Sequence, residues 1–282
     1  MAPARFGTDG VRGVANQDLT AELAVALGRA IARVLPSVAI VVGRDTRRSG
    51  PLLQAALSAG LATEGADVID LGVLPTPGVA HLAERRQIPG AMVSASHNPF
   101  ADNGIKLFSQ MGTKLPVEVE AEVEAELDSI LADPDRPPRR PTGYSVGRIS
   151  VDDAGADLYR DSLRAALDGR TLAGQRIVVD CANGAASAFA PGVLSDLGAD
   201  VVALHDAPDG TNINERCGST DPEELARTVV DVGPGWAWRS TVTLIGSLPW
   251  ITMVRSSTGT SCWPSSPWTS RAGDSWPATR WW

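Results

Sequence analysis

The sequence predicts an α/β protein made of layered domains with mixed, largely parallel sheets. Three observations carry that expectation. Short apolar runs of strand type alternate with amphipathic stretches of helical spacing from about residue 20 to residue 232, the pattern of helices layered on a parallel sheet. A proline-rich break, Ala132 to Thr142 with four prolines, divides this alternation in two. The composition then changes after residue 233, since all eight tryptophans lie at or beyond Trp236. The expected units are therefore a first domain over 1–145, a second over 146–233, and a disordered tail over 234–282.

Taken in order, Arg5 to Gly13 opens with three glycines and two arginines. Glycine lets backbone approach a ligand and arginine suits phosphate, but a plain turn explains the same residues. Leu23, Leu27, Ile31 and Val34 recur three or four apart, which predicts a helix over Thr20 to Leu35 with a threonine at its start. Val38 to Val42 reads as a strand running into Gly43-Arg44-Asp45-Thr46-Arg47, where solvated arginines are the ordinary reading. A helix from Ser49 to Glu64, a strand over Val68 to Leu71 and a helix from Thr76 to Arg86 follow. Pro116 to Leu131 is a helix with six acidic residues, read as a solvated face and not a metal site.

The second unit repeats the alternation. Helices are expected over Ala154 to Leu167, Ala185 to Leu197 and Pro222 to Val232, with strands over Arg176 to Val179 and Val201 to Leu204. A long polar loop runs from Pro208 to Thr220.

The stretch that carries chemistry is Gly90 to Phe108, GAMVSASHNPFADNGIKLF. An apolar run, Ala91 to Val93, breaks at Asn98-Pro99, and a second run, Ile105 to Phe108, follows the turn residues Asp102-Asn103-Gly104. This is a strand, a polar loop and a strand, and loops at strand carboxyl ends hold the ligands of open α/β sheets. Ser96 beside His97 suggests a nucleophile with a proton acceptor. Adjacent residues seldom form such a pair, so a self-satisfied turn is the better reading of the dipeptide alone. Lys106 on the second strand is a candidate point charge for a phosphate.

The overall charge of −8 excludes nucleic acid as partner, which needs a basic surface. No apolar run is long enough to span a bilayer and no charged-then-apolar segment opens the chain, so a cytoplasmic address without membrane attachment is expected. Cys181, Cys217 and Cys262 have no metal spacing, and their odd number speaks against a disulfide framework; Cys217 reads as structural or incidental.

The words SASHNP and DNGIK at this distance resemble the active-serine loop of the α-D-phosphohexomutases, a far more specific signal than a lone glycine pattern. GTDGVRG, VGRDTR, VVDCANGA, DGTNIN and CGST resemble the same family in the same order, and CGST followed by Pro222-Glu223 resembles its glucosamine phosphate branch. The resemblance implies that Ser96 carries a phosphoryl group whose oxygens share in holding Mg²⁺. It implies proton-transfer or phosphate contacts by His97 and Lys106, and substrate or phosphate binding by Arg12, Asn98 and Asn103. The implied reaction is the interconversion of glucosamine 6-phosphate and glucosamine 1-phosphate through a sugar 1,6-bisphosphate, on the way to UDP-N-acetylglucosamine. The alternatives are the mannose and glucose phosphate branches, or a non-catalytic remnant that only binds phosphate. The resemblance implies that the first unit is complete and the second incomplete, and that the family's third and fourth domains have no counterpart in this sequence.

The resemblance stops near Val232. From Pro234 to Trp282 there is no Lys, Glu, Asn, Gln, His, Phe or Tyr, and Asp274 is the sole acid. The family's metal loop, DGDADR, is absent as protein. Yet Trp238 to Gly246, written back as TGG CGC TCG ACG GTG ACG CTG ATC GGC, reads ALDGDADR in a neighbouring frame. We therefore expect a single-frame slip between Val232 and Gly235, an out-of-frame tail, loss of the strand that should follow the helix ending at Val232, and an inactive chain.

Overall fold

Strands and helices alternate along the chain because short continuous apolar runs, as in Ala39–Arg44, suit strands covered on both faces, while apolar residues three or four apart suit helices with one buried face. The computed structural model describes residues 6–7, 10–35, 37–133, 141–232 and 236–239. Seven strands form the first sheet: β1 (Phe6–Gly7), β2 (Gly10–Val14), β3 (Ala39–Arg44), β4 (Asp67–Val73), β5 (Gly90–Val93), β6 (Asp102–Phe108) and β7 (Ile149–Val151). Their spatial order is β1-β2-β6-β5-β3-β4-β7. The sheet is mixed: parallel from β5 through β3 and β4 to β7, antiparallel from β1 through β2 and β6 to β5.

Helices cover both faces. On one lie α1 (Ala21–Val34), α2 (Gly50–Thr63) and α4 (Val117–Ala132), where Leu27, Ile31, Leu57 and Val123 meet Val42, Val93 and Ile105 in one cluster. Thr20 caps α1 by accepting from the Leu23 N–H at 3.2 Å. The acidic helix α4 is less solvated than expected: Glu120 is buried against Lys114, and Glu126 pairs with Arg33. On the other face α3 (Thr76–Arg86) and α5 (Gly155–Ala165) bring Val79, Leu82 and Tyr159 onto Val41, Leu71, Met92 and Phe108.

The boundary expected at residue 145 falls short of the first sheet's last strand. β7 lies beyond it, with Ile149 opposite Val68. Gly147 permits this, since a Cβ there would stand 2.1 Å from the Ala66 carbonyl oxygen. The expected linker falls mainly on residues 134–140, outside the described residues.

The second sheet, in the order β10-β8-β9, has β8 (Arg176–Asp180) between β9 (Asp200–Leu204) and β10 (Trp236–Arg239), all parallel. Helices α6 (Ala190–Asp196) and α7 (Glu223–Asp231) accompany it. The single helix expected over Ala185 to Leu197 is split into a 3₁₀ turn, Ala185–Ala188, and α6, where a proline near the start resets the helix.

β10 corrects the expected loss of a strand after α7, and with it the start of the disordered tail expected over 234–282. The strand after the helix ending at Val232 is present and parallel to β8, with Trp236 opposite Ile177, so that sheet edge is covered. Main-chain pairing asks only for extended backbone of adequate β-propensity, which Trp-Ala-Trp supplies. The short run Val242 to Ile245 and the rest of the tail from residue 240 lie outside the described residues.

Candidate active-site loop

β5 delivers the chain to Ser94-Ala95-Ser96 at its carboxyl end, and β6 takes it back. Ser96 is buried and sits at φ 59°, a left-handed conformation that a non-glycine residue holds only when its surroundings impose it. Those surroundings are visible. The Ser96 N–H donates to Ser94 Oγ at 3.1 Å, and Ser94 Oγ donates to Asp45 Oδ2 at 2.7 Å. Asp45 forms an ion pair at 3.0 Å with Arg47, both side chains fully buried. The Arg47 guanidinium then donates to the carbonyl oxygens of Ser96 (2.9 Å), Asn98 (2.8 Å), Asp102 (3.0 Å) and Pro99.

The loop is gripped from the second unit as well. Asn214 Nδ2 donates to the carbonyl oxygens of Ser96 and Asn98, each at 3.0 Å. Thr46 Oγ1 donates to the Asn183 carbonyl at 2.6 Å, and the Arg48 N–H to the Gly210 carbonyl at 2.8 Å. Ala182, Asn183, His205 and Asn214 share the left-handed conformation of Ser96, so unusual backbone gathers where the two units meet. Between them lies a cleft of about 760 Å³ with His97, Pro99 and Phe100 on one wall and Ile213, Asn214, Glu215 and Thr220 among those on the other.

The residues singled out in the sequence are placed as follows. His97 is exposed on the cleft, its Nδ1 3.4 Å from Ser96 Oγ, a long contact for a hydrogen bond. Arg12 on β2 lies opposite Gly104 on β6, whose carbonyl accepts from the Ser94 N–H. A Cβ on Gly104 would stand 2.9 Å from Arg12 Cγ, so the glycine lets the arginine stem cross towards the serine strand. Lys106, opposite Met92 and two residues from Gly104, therefore shares a sheet face with Arg12. It is buried, with Nζ 5.8 Å from the centre of the Phe108 ring.

Asn103 is fully buried and Asn98 partly so, and both side chains are bonded within the protein. Asn98 Nδ2 donates to Asp102 Oδ2 at 2.8 Å, and Asn103 Nδ2 to Ser49 Oγ at 2.8 Å. Arg47, Asp45 and Asn214 were missed. Arg47 read as a solvated charge, although an aspartate two residues before it, just after a buried strand, is the signal that could have exposed it.

The described residues do not fit Mg²⁺, which wants oxygen ligands in octahedral array. Asp45 and Asp102, the carboxylates of this bonding network, are engaged by Arg47, Ser94 and Asn98. The other cluster of ligand type, Asp180, His205 and Cys217, offers nitrogen and sulfur with one carboxylate.

Residues 3–133 match the family model of phosphoglucomutase/phosphomannomutase, alpha/beta/alpha domain I. The chain is 51% identical over 233 residues to phosphoglucosamine mutase of Desulforamulus reducens, covering 81% of this chain and 51% of that protein. With its counterpart in Symbiobacterium thermophilum it is 53% identical over 234 residues, covering 80% and 51%. A crystal structure of a phosphoglucomutase/phosphomannomutase family protein from Burkholderia thailandensis superposes with a TM-score of 0.70 at 28% identity, over 84% of this chain and 52% of that one. The chain spans about half the length of the curated relatives it matches.

Proposed function

The chain belongs to the phosphoglucomutase/phosphomannomutase family, and we propose that it carries the phosphoryl-bearing part of a mutase interconverting glucosamine 6-phosphate and glucosamine 1-phosphate. The observation that carries the reading is Ser96, held left-handed at the end of β5 by Arg47 and Asn214 beside an open cleft.

In this reading phospho-Ser96 gives its phosphoryl group to one hydroxyl of the sugar phosphate. The resulting 1,6-bisphosphate turns over and returns the other phosphoryl to Ser96. Such transfer depends on positioning and on charge neutralisation. Arg12 and Lys106, on one face of the sheet, supply positive charge near the serine strand. His97, exposed on the cleft beside Ser96, is our candidate to relay the proton of the hydroxyl. Asn98 and Asn103 contribute by holding the loop, since their amide nitrogens are committed to Asp102 and Ser49.

Mg²⁺ would neutralise charge on the transferring group, and it enters the proposal only with the aspartates that the neighbouring frame encodes. A second reading, a remnant that binds phosphate without turnover, is favoured for the chain as it stands, because Asp45 is held in a buried ion pair and Asp102, which accepts from Asn98, is the one other carboxylate of the described loop network. We expect a version restored by a one-base change in length near Val232 to turn over glucosamine 6-phosphate when Mg²⁺ and a sugar bisphosphate are supplied, and the unrestored chain to be inert. Equal rates from the two would overturn the frame-slip reading.

A further inference from the structure

We propose that Asp180, His205 and Cys217 form a binding site for a borderline-soft divalent cation of the Zn²⁺ class, apart from the Ser96 loop. The three residues come from separate segments: Asp180 ends β8, His205 follows β9, and Cys217 lies in the loop before α7. That is why no sequence spacing announces them.

Asp180 Oδ1 stands 3.1 Å from His205 Nδ1, and a carboxylate oxygen of Asp180, a ring nitrogen of His205 and Cys217 Sγ all lie within 4.8 Å of one another. Zinc bonds of about 2.0–2.3 Å put ligand atoms roughly 3–4 Å apart around one ion, so only small side-chain adjustments are needed. Asp180 is already oriented, since Oδ1 accepts from the Ala182 N–H at 2.8 Å and Oδ2 from the Gly218 N–H at 2.7 Å. Each carboxylate oxygen keeps a second lone pair.

Two further observations point to a cation. His205 Nε2 lies 3.3 Å from Glu224 Oε2, the arrangement in which a carboxylate orients an imidazole that ligates through its other nitrogen. Cys217 is fully buried, so water does not compete with a cation for its sulfur. On binding, the thiol proton leaves to solvent as the sulfur–metal bond forms, and the imidazole proton sits on Nε2 facing Glu224. The cation would tie β8, the end of β9 and the loop bearing Asn214 together, stiffening the grip on the Ser96 carbonyl.

The test uses the full chain with Cys262→Ser, so that Cys181 and Cys217 are its only thiols. It is titrated with Co²⁺ as a spectroscopic probe and with Zn²⁺ in competition, in excess Mg²⁺. One equivalent of Co²⁺ should give a sulfur-to-cobalt charge-transfer band that Zn²⁺ abolishes, Cys181→Ser keeps and Cys217→Ser removes. Glu224→Gln, at a half-exposed position, should weaken Zn²⁺ about 10–100-fold. Zn²⁺ should raise the melting temperature of the parent chain and not that of His205→Gln. No band in the parent, a band that survives Cys217→Ser, or unchanged Zn²⁺ affinity in both Glu224→Gln and His205→Gln would overturn the site.

Discussion

β5 and β9 are both short strands that lead into the cleft region, yet Gly90–Val93 is buried at every position and Asp200–Leu204 at none. The difference lies in what covers them. β5 sits inside a seven-stranded sheet with helices on both faces, whereas β9 is an edge of three strands with two short helices. A parallel strand is stable when both its faces are covered. The first sheet meets that condition alone. The second leans on the serine loop through Asn214, Thr46 and Arg48.

The largest effect should come from the junction. Arg47→Ala leaves Asp45 buried without its cation and frees four carbonyls of the serine loop, at a cost of about 3–5 kcal/mol. Arg47→Lys should restore little, because one ammonium cannot span those acceptors. Denaturant midpoints of the variants and the parent measure this.

Next comes a contrast between cores. Leu57→Ala, in the large cluster of the first sheet, should cost towards the upper end of about 2–5 kcal/mol. Leu225→Ala, in the small cluster of Val178 and Val229, should cost towards the lower end, since its neighbours can close in. Equal losses would erase the distinction between the sheets.

The smallest effect concerns pH and stays within the first unit. Burial alone would raise the Glu64 carboxyl, but bonds from Arg33 and Arg29 outweigh it and hold it below its ordinary 4.5. A carboxyl depressed in the folded state stabilises fully above its unfolded value and loses that contribution as pH falls through the folded one. The parent should therefore lose stability below about pH 4.5 more steeply than Glu64→Gln, as thermal melts across that range would record.

Much of the fold was legible because its signals are local. The apolar spacing of Leu23, Leu27 and Ile31 marks α1 without reference to any partner, and the runs before Ser94 and after Asn103 mark β5 and β6. Features that depend on partners were hidden. β7 is three residues whose strand character comes from the edge of β4, and β10 forms against β8 inside a stretch of aberrant composition. At the site, Ser96 and His97 were legible as a word. Arg47 was not, since a guanidinium bonded to four carbonyls reads in sequence like one in solvent. Asn214 was hidden more deeply, because its targets lie 118 and 116 residues away.

The claim that organises the rest is that the loop clamped by Arg47 and Asn214 exists to present Ser96 as a phosphoryl carrier. Peptide mass spectrometry of the frame-restored protein, after incubation with a sugar 1,6-bisphosphate, tests it directly. The account predicts phosphate on Ser96 in the peptide spanning Ser94 to Asn98, and its loss together with turnover in Ser96→Ala. Phosphate on Ser94 alone, or near-normal turnover by Ser96→Ala, would contradict it.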